Sequence, residues 1–302
     1  VDSINVLLIQ AFSALAAGGA IVCAQYIGQR NYEKANMSAR QVLFIITAIS
    51  VVVSAVCLIF QKPLLRLIFG AVDADVMRAS ETYFFFTALS FPFIAAYDSA
   101  ASIFRAQENT KGPMTISMIS NIMNIGGNAV LIWVFHLGVA GAAISTLVSR
   151  IFCAVVVLWQ LRKDRQPVVV KDYLKIRPDW SMIGRILGLG IPSGIENSMF
   201  QLGKLAIQST VSTLGTAAIA AQAMTNILEN LNGIAAIGVG VGLMTIVGQC
   251  LGAGRKDEAV YYIKKLCVIA EAVIIVSCLI VYILVRPVTI LGGMESTSAE
   301  MC

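Results

Sequence analysis

The residues that could do chemistry lie inside long apolar runs, where most chains place only hydrocarbon. In the run 186–213, Asn197, Gln201, Lys204 and Gln208 follow the i, i+4, i+7, i+11 stripe of one helix face, with Glu196 at its border. Glu196 could take up and release a proton or a cation, or it could be a structural partner of Lys204, and the spacing leaves both open. The next run carries Asn226, Glu229, Asn230 and Asn232 on the same theme. Asn124 and Asn128 stand one turn apart and offer amide oxygens to a cation or to a neighbouring helix. Asp98 and Arg150 could form an ion pair, and Glu271 stands alone in its run. Each such group is costly in hydrocarbon, by at least about 2.5 kcal/mol on insertion scales, so each must meet a cavity or a partner.

The elements that carry these groups are membrane helices. The 302 residues are 58% hydrophobic and 13% charged, with a mean hydropathy of +0.81, whereas soluble domains carry about 25% charge. Long uniform runs exclude barrel strands, which are about ten residues long and alternating. Eight helical spans are expected, near 4–28, 40–60, 83–104, 114–135, 139–161, 186–213, 217–250 and 263–285. The net charge of +5 is a topology signal rather than a mark of nucleic-acid binding, because the basic residues, Arg150 and Lys204 apart, fall between spans. Sixteen lie on one side and four on the other, which puts the 28–40 loop and the 162–185 linker in the cytoplasm.

Enzyme chemistry finds no support. There is no HExxH, Walker A or CxxC pattern, His136 is the only histidine, and six of the seven cysteines lie in apolar stretches and read as small core residues. Gly238, Gly240 and Gly242 imitate a dinucleotide loop but follow no strand, so close helix packing is expected there.

An internal repeat sets the architecture. Gln25 to Gly28 with Ala35 returns as Gln249 to Gly252 with Ala259, an offset of 224 residues, and Lys62-Pro63 returns as Arg286-Pro287. The same offset pairs Gly18 with Gly242, Asn226 with Asp2 and Glu229 with Asn5. Six spans separate the copies, an even number, so the two copies run the same way through the membrane. The expected fold is an all-α integral membrane protein, a two-lobe parallel repeat of six-helix bundles. Twelve helices are expected in the intact protein and about eight in this chain. The N-terminal lobe, lacking its first helix, is expected over 1–165, the cytoplasmic linker over 166–185, and the first three helices of the C-terminal lobe over 186–302.

Asn121 to Asn128, followed by Gly138 to Thr146, resembles the fifth and sixth helices of multidrug and toxic compound extrusion (MATE) transporters. Phe104 to Pro113 is similar to that family's loop after its fourth helix, Gly190-Ile-Pro192 to the start of its seventh, and Gln25 to Gly28 and Gln249 to Gly252 to its paired helix ends. The resemblance runs over essentially the whole chain.

It implies a secondary antiporter of the plasma membrane that exports small organic, often cationic, compounds against Na+ or H+ by alternating access. No cofactor, no nucleic-acid partner and a monomer are expected. The family's first-lobe cation site implies Asn124, Asn128 and Thr146 as possible Na+ ligands, although Asn128 stands where the family often has Asp. The expected coupling and substrate residues are Glu196, Asn197, Gln201, Lys204, Glu229, Asn124, Asn128, Thr146 and Asp98. A lipid-linked-sugar flippase of the same superfamily is the alternative, and it would want a strongly cationic cleft.

Overall fold

The computed structural model describes residues 2–69, 74–163, 167–170, 177–212 and 216–291. Among them every regular element is helical: α1 (Asp2–Gly28), α2 (Tyr32–Ile59), α3 (Gln61–Phe69), α4 (Ala74–Leu89), α5 (Phe91–Ala106), α6 (Lys111–Ala129) running into a π-helical turn (Val130–Val134), α7 (Gly138–Leu161), α8 (Trp180–Ser212), α9 (Thr216–Gly252) and α10 (Lys256–Leu291). All eight expected spans have a counterpart. Six helical stretches are both long and apolar enough to cross a membrane. The third of these joins α4 and α5 and is interrupted at Ser90, because Pro92 brings no N–H to the first turn of α5.

Three boundaries differ from the expectation for local reasons. Asn31 caps α2, its Oδ1 accepting from Lys34 N at 3.1 Å, so the helix begins well before residue 40. Asp179 caps α8 by accepting from Ser181 N (3.0 Å) and Met182 N (3.2 Å), which starts that helix six residues early and carries it through Pro192. The short helix α3 falls outside the eight expected spans, and its Leu65 is fully buried.

The 224-residue repeat is written into the backbone. At the end of α1, Gln29 N donates to Gln25 O, Arg30 N to Ile27 O and Asn31 N to Tyr26 O. After α9, Ala253 N donates to Gln249 O, Gly254 N to Leu251 O and Arg255 N to Cys250 O. Each bond falls on its partner at the same offset. The left-handed residue is Arg30 (φ 57°) in one copy and Gly254 (φ 77°) in the other, which makes both turns Schellman-type helix ends. Ala35 and Ala259 are buried in the turn that follows. The side chains of Asp2, Arg286 and Pro287, which belong to the same repeat, lie outside the described residues.

Two compact units emerge, Val1–Ser198 and Met199–Cys302. In the first, α1, α2, α5 and α7 pack together, with α4 and α6 against α7. Its core is built of Phe12, Phe84, Phe91 and Phe104 amid alanines 16, 35, 39, 95 and 100, the small-residue packing that lets membrane helices approach. Phe12 meets Phe91 edge to face at 6.2 Å. The division falls inside α8 because the first turns of that helix pack on α1. A Cβ on Gly18 would lie 2.6 Å from Gly190 N, and one on Gly190 would lie 2.9 Å from Leu15 Cα. By contrast, Gly238, Gly240 and Gly242 face open space among the described residues, so the tight glycine crossing is at Gly18 and not where the triplet suggested. In the second unit α9 and α10 pack side by side.

The segment before α8 is tied down. Val168 N donates to Gln107 Oε1 (3.0 Å) and Val169 N to Asn36 Oδ1 (2.8 Å), with Val168 and Val170 fully buried. Lys171 and Lys175, counted in the topology argument, lie outside the described residues. Cys23, Cys57 and Cys153 are buried, as core residues would be, but Cys267 and Cys278 are exposed on α10.

Candidate functional site

The densest polar seam of the first unit runs between α6 and α7. Asn124 and Asn128 share one face of α6, and Thr146 faces them from α7. Asn128 Nδ2 donates to Asn124 Oδ1 (3.3 Å), Asn124 Nδ2 donates to Thr146 Oγ1 (3.3 Å), and the Thr146 hydroxyl donates to Ala142 O (3.0 Å). Every donor in this relay points away from Asn128 Oδ1, which is buried and has no hydrogen-bond partner. The seam is further sewn by Ser145 Oγ to Asn124 O (3.0 Å) and Ser120 Oγ to Ser149 O (3.0 Å). The serines do not stand out in the sequence, where Ser at i and i+4 on an apolar helix is too common a pattern. The donor set, two amide oxygens and a hydroxyl, suits a hard monovalent cation, and the orphaned Asn128 Oδ1 is the oxygen open to one.

Asp98 on α5 is half-buried, and its Oδ2 is buried without a hydrogen-bond partner. The expected pairing with Arg150 does not form. Arg150 Nη1 instead donates to Ser90 Oγ at 2.7 Å, at the break between α4 and α5, while Ser90 Oγ donates to Thr87 O. The carbonyl that Pro92 leaves without its helical donor, Ala88 O, accepts instead from Ser54 Oγ at 2.8 Å, and Arg150 holds the Ser90 hydroxyl beside it.

The polar face of α8 divides. Lys204 Nζ forms an ion pair with Glu229 Oε1 of α9 at 3.0 Å, and it also lies 5.2 Å from the Phe200 ring centroid. Glu196, offered above as a partner of Lys204, is exposed and makes no hydrogen bond or ion pair among the described residues, as is also true of Asn197. Gln201 is half-buried and Gln208 exposed. On α9, Gln222 Nε2 donates to Asn226 Oδ1 (3.3 Å), and Asn230 is exposed. The Asn232 side chain lies outside the described residues. Asn5, the repeat partner of Glu229, is buried with its Oδ1 unpartnered.

At the end of the bundle that carries the linker, Arg185 enters the sequence argument only as a topology charge. It reaches from α8 to α1, with Nη1 donating to the Tyr26 hydroxyl (2.8 Å) and Nη2 to Gln25 Oε1 (3.3 Å). The sequence does hold a signal for this contact, since Gln25 is one of the repeat-defining residues.

Helices of this length and composition, crossed by polar seams, belong to a multi-pass membrane protein. The MatE family matches residues 1–130 and 192–301, and the chain belongs to that family. Among curated relatives, it is 26% identical over 260 residues to "Probable multidrug resistance protein YoeA" of Bacillus subtilis, covering 83% of this chain and 55% of the relative. It is 23% identical over 269 residues to "Multidrug export protein MepA" of Staphylococcus aureus, covering 87% and 57%. The chain thus spans about half the length of the curated relatives it matches. Among solved structures, a MATE transporter in the bent conformation superposes with a TM-score of 0.88 at 18% identity, over 98% of this chain and 66% of that one. The Vibrio cholerae MATE transporter VcmN in the bent form gives 0.81 at 22%, over 98% and 67%. The fold is therefore the two-lobe helical fold of these transporters.

Proposed function

We propose that the intact protein containing this chain is a secondary active antiporter that exports small organic, often cationic, compounds in exchange for Na+ or H+ by alternating access. The observation that carries the reading is the relay Asn128, Asn124, Thr146, which ends on a buried amide oxygen with no partner. Such an oxygen is costly to bury. A cation arriving at Asn128 Oδ1 would relieve that cost, and its departure would restore it, which couples occupancy to the packing of α6 on α7. Asp98, with one buried oxygen unpartnered, is the second group able to take up a proton or cation in this lobe. Glu196 and Asn197, exposed on an apolar helix, are the groups best placed to meet a cationic substrate, with Gln201 on the same face. The names of YoeA and MepA support an exporter of drugs.

A flippase of lipid-linked sugars needs free cations to hold a pyrophosphate. Mid-span, Arg150 is engaged by Ser90 and Lys204 by Glu229, which favours the exporter. The test is Asn128→Leu in the intact protein, which keeps the volume near constant and removes the oxygen. Ion-driven efflux of a cationic dye should fall at least tenfold while insertion and expression persist. Unchanged efflux across Na+ concentration and pH would remove this relay from the coupling site and move the assignment to Asp98.

A further inference from the structure

Residues 177–181, at the entry to α8, lie against the start of α2 and border an open cavity of about 850 Å3. Its wall is built. Gln41 Nε2 donates to Arg177 O at 2.7 Å and Gln41 Oε1 accepts from Asp179 N at 3.2 Å, so one buried glutamine fixes both sides of the loop. Four charges line the space, Arg40 and Asp179 half-buried within it and Glu33 and Arg177 exposed at its mouth. None of them closes an ion pair with another among the described residues. Arg40 Nε is buried without a hydrogen-bond partner. Asp179 spends Oδ1 on the cap of α8 and leaves Oδ2 for the cavity.

Exposed Glu33 and Arg177 are served by water, but the half-buried Arg40 and Asp179, of opposite sign and unpaired with each other, suit an occupant bearing both signs. A bare anion would satisfy the guanidiniums and be repelled by the carboxylates, and a bare cation would do the reverse. The rim adds a second constraint, since Met37 (39% exposed) and Trp180 (74% exposed) border the same space. An exposed Trp at a helix end is the usual marker of the membrane interface. At the 224-residue offset, Asp257, Tyr261 and Lys264 stand for Glu33, Met37 and Arg40, but the open groove lined by Tyr261 and Lys264 carries only basic charge among the described residues, so the pairing of both signs is particular to the first copy.

We propose that this cavity binds the phosphoethanolamine group of a bilayer phospholipid. The phosphate sits on Arg40 and Arg177, whose planar forks suit its oxygens. The primary ammonium donates to Glu33 and Asp179, and the acyl chains leave past Met37 and Trp180. This site lies apart from the α6–α7 relay and does not depend on what the protein transports.

The intact protein in detergent micelles can be titrated with phosphatidylethanolamine, phosphatidylglycerol or phosphatidylcholine, and separately with free O-phosphoethanolamine. Bound lipid is counted by native mass spectrometry and thermal unfolding is followed in parallel. Phosphatidylethanolamine should be retained and should raise Tm above the other two lipids, because only it offers both a phosphate and ammonium hydrogens. Arg177→Gln should weaken that retention about tenfold, the cost of one charge-assisted hydrogen bond, while leaving Tm in lipid-free detergent unchanged. Arg40→Gln should do the same, and if it fails to fold the Arg177 variant decides alone. Free O-phosphoethanolamine that binds as tightly as the lipid would support the headgroup chemistry and assign it to a soluble ester. Equal retention of all three lipids, or undiminished retention in Arg177→Gln, would overturn the proposal.

Discussion

Lys204 Nζ lies 3.0 Å from Glu229 Oε1, which joins the polar face of α8 to that of α9 and leaves Glu196 without an ionic partner among the described residues. The two glutamates of this region therefore do different things. Glu229→Gln would strand an ammonium within a membrane helix. With side chains 36% and 51% exposed, the pair is partly solvated, so the stability loss is about 1 kcal/mol rather than the several of a fully buried pair. Glu196→Gln strands nothing and should leave Tm unchanged. Thermal unfolding of both variants in detergent separates them, and a larger drop for Glu196→Gln would contradict the pairing.

Thr146→Val removes the acceptor of Asn124 Nδ2 at nearly constant volume. Hydrogen bonds between membrane helices are worth about 0.6 kcal/mol on average, so a modest fall in Tm is expected. Ion dependence should change more than stability, because the loss frees the Asn124 amide to turn and with it the Oδ1 that holds the Asn128 amide in place. The ratio of efflux at high and low Na+ or pH is the measurement.

Gly18 touches the backbone of α8 at Gly190, and no side chain fits between them. Gly18→Leu should force the helices apart at a cost of about 1–3 kcal/mol, typical of overpacking. Gly18 and Gly190 lie in one compact unit, so the variant should insert normally yet hold the start of α8 against α1 less tightly. Labelling of a cysteine introduced at Gln25 would report it as increased accessibility.

Arg30 holds a left-handed conformation that its repeat partner entrusts to Gly254. A non-glycine residue there costs about 1 kcal/mol. Arg30→Gly should raise stability by about that amount and Gly254→Ala should lower it similarly, both read as shifts in thermal unfolding.

The repeat can be read from the chain because Gln, Gly and Ala recur at positions where helix ends demand them, and the same hydrogen bonds then appear at both turns. The spans are legible because hydrocarbon tolerates little else. Side-chain partners are not. Arg150 meets Ser90 rather than Asp98, a choice set by how α4, α5 and α7 pack, which the spacing of the three residues does not reveal. Lys204 chooses Glu229 over Glu196 because its partner comes from the adjacent helix, and contacts across helices depend on a packing that one sequence does not specify. The relay of Asn124, Asn128 and Thr146 comes from the family resemblance, and only the structure exposes which of its oxygens is left over.

Export by the intact protein is proposed to run on an ion gradient. The direct measurement is flux of the fluorescent cation ethidium in proteoliposomes holding the intact protein, with a Na+ or H+ gradient imposed across the bilayer. Ethidium should move uphill when one of the two gradients is imposed, stop when an ionophore collapses it, and move at least about tenfold more slowly in Asn128→Leu. Folded, inserted protein that moves no ethidium under either gradient while translocating a lipid-linked sugar would contradict it.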